Sequence, residues 1–199
     1  PVDQGAEVAF AGRSNAGKSS ALNALTNHKG LARTSKTPGR TQQMVAFSLP
    51  PPVQVDGQPP ADVRLIDLPG YGYAKVPLEM REHWKLEIDA YLHQRRSLRG
   101  LVLIVDIRHP LKEFDRMMLE FCFATQLPCH VLLTKADKLS RGAATQALAA
   151  LRKGFASNSP HATAQIFSSS AGTGVDEARE AVMTLLRTPR EGVHPNRDR

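Results

Sequence analysis

Short apolar runs alternate along this chain with longer stretches in which apolar residues recur every third or fourth position. Residues 7–11 (EVAFA) read as a strand, and residues 20–25 (SALNAL), with Leu22 and Leu25 three apart, open a helix. Residues 42–49 (QQMVAFSL) and 63–67 (VRLID) read as the next strands. The proline-rich stretch 50–60 between them carries Asp56-Gly57, which suits the tip of an antiparallel hairpin. Residues 101–105 (LVLIV) and 129–133 (CHVLL) are continuous apolar runs, the pattern of parallel strands covered on both faces, and 165–167 make a last short strand. Helical periodicity runs over 78–96, 111–126, 140–155 and 174–186. Trp84 and Leu86 are expected in the core. Residues 27–41 are polar, basic and rich in turn formers, and read as a loop.

Strand–helix alternation of this kind predicts an α/β fold: a three-layer α/β/α sandwich around a mostly parallel six-stranded sheet with one antiparallel edge strand. No internal repeat or linker interrupts it, so one domain is expected over 1–188, followed by a loose basic tail over 189–199. In such sheets ligands bind at the carboxyl ends of the strands. The segment after residue 11, Asp67, Thr134 and Ser168 all follow predicted strand ends and can meet on one edge.

The segment after the first strand is Gly12, Arg13, Ser14, Asn15, Ala16, Gly17, Lys18 and Ser19, the pattern G-x-x-x-x-G-K-[ST] between a strand and a helix. The glycines let the backbone curl so that successive N–H groups face one anion-sized hollow, backed by the helix dipole. A lysine at position 18 can reach the β- and γ-phosphates of a nucleotide, and a serine hydroxyl at 19 can ligate Mg²⁺. Asp67, Leu68, Pro69 and Gly70 form D-x-x-G after an apolar strand. The carboxylate can hold Mg²⁺ through water and the Gly70 N–H can meet a γ-phosphate. Thr134, Lys135, Ala136 and Asp137 match [NT]-K-x-D. A carboxylate at 137 can accept from both N1–H and the 2-amino group of guanine, donors that adenine lacks, while the Lys135 stem can lie along the base. Ser168, Ser169 and Ser170 can offer backbone N–H groups to the guanine oxygen. Thr37 and Thr41 are the candidates for a further Mg²⁺ ligand, and Thr41, just ahead of a strand, is preferred.

Composition narrows the partners. The formal net charge is +7, which favours a polyanion, nucleic acid first. Lys29, Arg33, Lys36 and Arg40 lie on the predicted loop, and Arg190, Arg197 and Arg199 on the tail. Arg95, Arg96 and Arg99 suit either the negative end of a helix dipole or an RNA contact. No apolar run approaches the ~20 residues that span a bilayer, so a soluble, cytoplasmic protein and no membrane partner are expected, with a monomer as the default. Cys122 and Cys129 have no metal or redox spacing and read as buried thiols. His109 follows a strand end but reads as structural rather than as a base.

The segments GRSNAGKS, TPGRTQ, DLPGYGYA, DIRHPLK and TKAD, in this order, resemble the EngB (YihA/YsxC) family of bacterial GTPases, a branch of the Era-like, translation-factor-related P-loop proteins. The resemblance runs from about Glu7 to Leu186. It implies GTP binding and hydrolysis, a role in assembling the large ribosomal subunit or contacting its rRNA, and a requirement in cell division and septation. By matching position it places nucleotide contacts at Gly12–Ser19, at Gly39, Arg40, Thr41, Gln42 and Gln43, at Asp67–Gly70, at Thr134–Asp137, and at Phe167, Ser168 and Ser169, with Mg²⁺ at Ser19 and Thr41. Lys18, Thr41 and Gly70 are the expected catalytic positions. Tyr71 follows Gly70 where Ras-like enzymes carry the glutamine that orients water, which points to slow intrinsic hydrolysis. Asn15 resembles the asparagine of GTPases that recruit K⁺. Two other readings stay open: a switch acting on protein effectors, and an RNA-binding assembly factor with incidental hydrolysis.

Overall fold

A computed structural model describes residues 2–32, 44–50, 62–70, 78–155 and 161–188, with the side chains of 78–85 excepted. The elements run β1 (Ala6–Gly12), α1 (Lys18–Thr26), β2 (Val45–Ser48), β3 (Val63–Asp67), α2 (Leu78–Gln94), β4 (Leu98–Asp106), α3 (Glu113–Ala124), β5 (Cys129–Thr134), α4 (Arg141–Phe155), β6 (Ala162–Ile166) and α5 (Val175–Arg187). The expected hairpin tip, the tail over 189–199, Tyr71, the Trp84 side chain and Arg33, Lys36, Thr37, Gly39, Arg40, Thr41, Gln42 and Gln43 lie outside the described residues.

The sheet order is β2-β3-β1-β4-β5-β6, with β2 antiparallel to β3 and the other pairings parallel. The alternation along β4 shows why it is central. Leu101, Leu103 and Val105 pack into one core with α2, α3 and α4, while Val102 and Ile104 pack into the other with α1 and α5. Gly100 is a close approach: a Cβ there would stand 2.8 Å from Leu185 Cδ2, so α5 lies directly on the strand. Cys122 and Cys129 are buried free thiols, as expected. Leu86, expected in the core, is instead exposed on α2, because Ile88 and Leu92 supply that helix's buried face.

Two long-range anchors fix the helices. Arg179 on α5 donates to the last carbonyls of α1, Leu25 at 2.8 Å and Ala24 at 3.0 Å. At the amino end of the sheet, Glu7 of β1 is fully buried and accepts from Arg64 of β3, and from Tyr91 and Arg95 at the end of α2. That resolves Arg95 as a structural cation rather than a surface contact.

Strands β1 and β4 are neighbours whose outgoing connections run to opposite sides, toward β3 and toward β5. The crevice at their carboxyl ends is therefore the topological switch point of the sheet.

Candidate functional site

The loop after β1 turns through left-handed residues, Asn15 at φ 63° and Gly17 at φ 99°, before α1 begins at Lys18. Such a turn directs successive N–H groups to one side. Gly12 is needed for a second reason, since a Cβ there would lie 2.8 Å from the Ile104 carbonyl. Helix α1 has no acidic residue in its first turn, whereas α3 and α5 each have two. Its positive end is thus left uncompensated by its own side chains, which suits an anion.

Lys18 is buried and pairs with Asp67, the last residue of β3, also buried. Burial pushes the Asp67 carboxyl above the usual carboxylate range, against the pull of the Lys18 ammonium. Gly70 comes up beside the loop: a Cβ on it would meet Ser14 Cα at 3.6 Å. Ser19 is half-buried in the first turn of α1. Among the described residues no cluster of three or more His, Cys, Asp and Glu is close enough to hold a metal. A hydroxyl at Ser19 and a carboxylate at Asp67 are hard oxygen donors of the kind Mg²⁺ takes, with phosphate oxygens and water completing its shell. The residues present fit that ion.

The end of β5 is tied to the loop. The Thr134 hydroxyl donates to the Ala16 carbonyl at 2.5 Å. Lys135 adopts φ 59°, and its Nζ donates to the Asn15 carbonyl at 2.5 Å and to Asp106 Oδ2 at 2.9 Å. Its stem therefore runs over the crevice. Asp137 is exposed, accepts from Ser168 Oγ at 2.6 Å and faces Lys138 at 3.1 Å. The Ser168 hydroxyl first, and Lys138 with it, hold the Asp137 carboxyl down to about 2, so it is an acceptor at any physiological pH. Phe167 is a core ring whose carbonyl accepts the Ala136 N–H at 3.2 Å, which positions the T-K-x-D turn. The Ser168 N–H donates to the Thr173 carbonyl at 2.9 Å, and its hydroxyl accepts the Ala171 N–H at 3.2 Å, which fixes the turn that carries Ser169 and Ser170.

Sequence reasoning did not attach the segment after β4 to this site. Asp106 closes that strand and accepts from Arg108 as well as Lys135. Burial works to raise its carboxyl, but the bonds from Arg108 and Lys135 prevail and hold it well below the usual range. Arg13 reaches out of the loop to the His109 carbonyl at 3.0 Å and to Asp115 of α3 at 3.3 Å. His109 itself is exposed and serves through its backbone. The signal was present in DIRHPLKEFD, where charges cluster at a strand end, but nothing local says what they face.

Residues 7–135 match the family described as 50S ribosome-binding GTPase. A "Probable GTP-binding protein EngB" of Stenotrophomonas maltophilia is 55% identical over 183 residues, covering 92% of this chain and 86% of that protein. Among solved structures, a probable GTP-binding protein engB superposes with TM-score 0.67 at 20% identity, over 92% of this chain and 99% of that one. Era of Aquifex aeolicus, bound to GDP and AlF₄⁻, superposes with TM-score 0.71 at 20% identity, over 98% of this chain and 61% of that one. At those identities the structural likenesses speak for the fold.

Proposed function

The chain belongs to the EngB family of GTP-binding proteins, within the 50S ribosome-binding GTPases, and from that premise we propose that it is a nucleotide-gated switch in assembly of the large ribosomal subunit. The observation that carries the site is the convergence on one sheet edge of the Gly12–Ser19 loop, the Lys18–Asp67 pair and the Asp137 carboxylate.

In this reading the N–H groups of the loop other than that of Ala16, which donates to the Arg13 carbonyl, cradle the α- and β-phosphates, and Lys18 leaves Asp67 for the β- and γ-oxygens. Ser19, Thr41 and, through water, Asp67 would hold Mg²⁺, which would neutralise charge on the phosphates. Gly70 donates its N–H to the γ-phosphate, so the segment after β3 responds when that group leaves. Asp137 accepts from guanine N1–H and the 2-amino group, and the Lys135 stem covers the base. By matching position in the family, Gly39, Arg40, Gln42 and Gln43 would add nucleotide contacts beside Thr41. Tyr71, which follows Gly70, has no side-chain amide with which to orient the attacking water, so slow intrinsic hydrolysis is expected. K⁺ beside Asn15 would supply charge that an arginine finger supplies elsewhere; equal hydrolysis rates in K⁺ and Na⁺ would remove that element. The net charge of +7 supports an rRNA contact. The division and septation role would follow from this assembly step.

The test is co-sedimentation with isolated large and small ribosomal subunits, in a non-hydrolysable GTP analogue and in GDP, over a salt series. Binding to the large subunit with the analogue alone, weakening as salt rises, is expected. Absence of binding in both states would leave a guanine-nucleotide switch whose partner is a protein. Asp137→Ala, which removes two charge-assisted bonds to the base, weakens GDP about a hundredfold by titration calorimetry.

A further inference from the structure

The segment between β4 and α3 holds none of the residues that define a guanine-nucleotide site, yet it grips the phosphate loop. Arg13 Nε donates to Asp115 Oδ2 at 3.3 Å, and Arg13 Nη2 to the His109 carbonyl at 3.0 Å. The Asp115 side chain is fully buried, while a quarter of the Arg13 side chain is exposed, at 25%. Asp115 Oδ2 also accepts the Lys112 N–H at 3.0 Å, capping α3. A neutral amide would give the same cap, as glutamine does in capping boxes. The carboxylate's charge therefore needs another reason, the more so because among the described residues its buried Oδ1 has no hydrogen-bond partner, a costly arrangement for an anion. The cation that bonds it is Arg13, the second residue of the loop, with Arg116 acting on it only through charge.

The loop holds left-handed residues at Asn15 and Gly17, a shape that persists only where its surroundings fix it. On its far side that is done by Thr134 and Lys135, which bind the Ala16 and Asn15 carbonyls. On its near side Arg13 is the brace, and it crosses the switch point between β1 and β4 to find its anchor.

We propose that Asp115 is a positioning residue of the nucleotide site, acting through Arg13 to keep the phosphate loop in shape and so to slow release of the bound nucleotide. This rests on the nucleotide reading of the same edge. The pair links the loop to α3, whose Phe121 ring meets His93 of α2 edge-on at 4.8 Å.

The experiment is stopped-flow release of fluorescently labelled GDP from the full chain with Mg²⁺, with thermal unfolding measured alongside. Asp115→Asn keeps the cap and the shape but removes the charge; Arg13→Gln removes the guanidinium. Each is expected to speed release about tenfold, the worth of one charged hydrogen bond. The double variant is expected to be no faster than either single one, which a merely structural role for Asp115 would not produce. Release at the wild-type rate from Asp115→Asn, whatever its Tm, overturns the proposal, as do single effects that multiply in the double variant. If Asp115→Asn does not fold, Arg13→Gln decides alone: faster release supports the brace and an unchanged rate overturns it. A wild-type chain that binds no labelled GDP brings down the nucleotide reading itself, which is a separate and visible failure.

Discussion

Strands β1 and β3 bury charge at both ends, and the two ends treat it differently. At the amino end Glu7 accepts from Arg64 Nε at 2.8 Å, Arg95 Nε at 2.9 Å, Arg95 Nη2 at 2.8 Å and the Tyr91 hydroxyl at 3.0 Å. Burial alone would raise its carboxyl, but Arg95, Tyr91 and Arg64 together hold it below its ordinary value. At the carboxyl end Asp67 is as deeply buried, at 3% exposure, and has Lys18 as its hydrogen-bond partner. There desolvation prevails and the carboxyl is pushed up. A charge that serves the fold is saturated with donors. A charge that serves a ligand is left with capacity, and the fold tolerates the cost because the exchange takes place on binding.

The comparison breaks most sharply at Glu7. Glu7→Ala removes the buried acceptor of four bonds, leaving Arg64 to Asp62 and the Val2 and Gln4 carbonyls and Arg95 to Asp3, and is expected to cost about 3 kcal/mol in urea unfolding; a loss below about 1 kcal/mol would show that those other acceptors suffice for both cations. Lys18→Ala should do the reverse. GDP affinity falls about a hundredfold in titration calorimetry, while Tm moves little because Asp67 can take up a proton. A Tm loss as large as that of Glu7→Ala would erase the distinction between the two ends. Tyr91→Phe removes one bond of the amino-end network and leaves the arginines in place, for about 1 kcal/mol with unchanged GDP binding.

The smallest effect is a pH dependence at the amino end of β5. His130 is buried, with Nδ1 2.7 Å from the Thr163 hydroxyl and Nε2 2.9 Å from Gln165 Oε1. Burial drives it below its ordinary 6.5, with Arg152 adding to the shift and Gln165 and Glu177 opposing it. A depressed histidine contributes stability that is complete above its unfolded value of 6.5 and is lost as pH falls below it. Tm should therefore drop slightly, by less than Tyr91→Phe lowers it, as pH is lowered from neutrality through the range below 6.5. His130→Gln should flatten that slope; an unchanged slope would assign it to the carboxylates.

The carboxyl edge was legible in the sequence because its chemistry is local. Gly12 to Ser19, Asp67 to Gly70 and Thr134 to Asp137 each carry their meaning within a few residues of a strand end. The amino end was not legible. Glu7 begins an apolar run, and its partner Arg95 is 88 residues away, so nothing nearby distinguishes a saturated carboxylate from a solvated one. Asp115 was hidden in the same way: it reads as an acid in the first turn of a helix, and Arg13 lies 102 residues earlier. Strand β4 also departs from its apolar run. β4 begins at Leu98 rather than 101, because a register shift against Glu7 and Val8 carries Arg99 past the ladder and lets a polar start join an apolar strand.

The contact of Arg179 with the carbonyls of Leu25 and Ala24 has a consequence for the order in which the molecule can be built. The helix behind the phosphate loop is closed at its far end by a residue 154 positions later, and Val182, Leu185 and Leu186 of the same late helix cover Val8 and Phe10 of the first strand. A chain emerging amino-end first therefore exposes the loop long before the scaffold that steadies it. The growing polypeptide cannot hold nucleotide in the finished manner until almost the last element has left the machine that makes it.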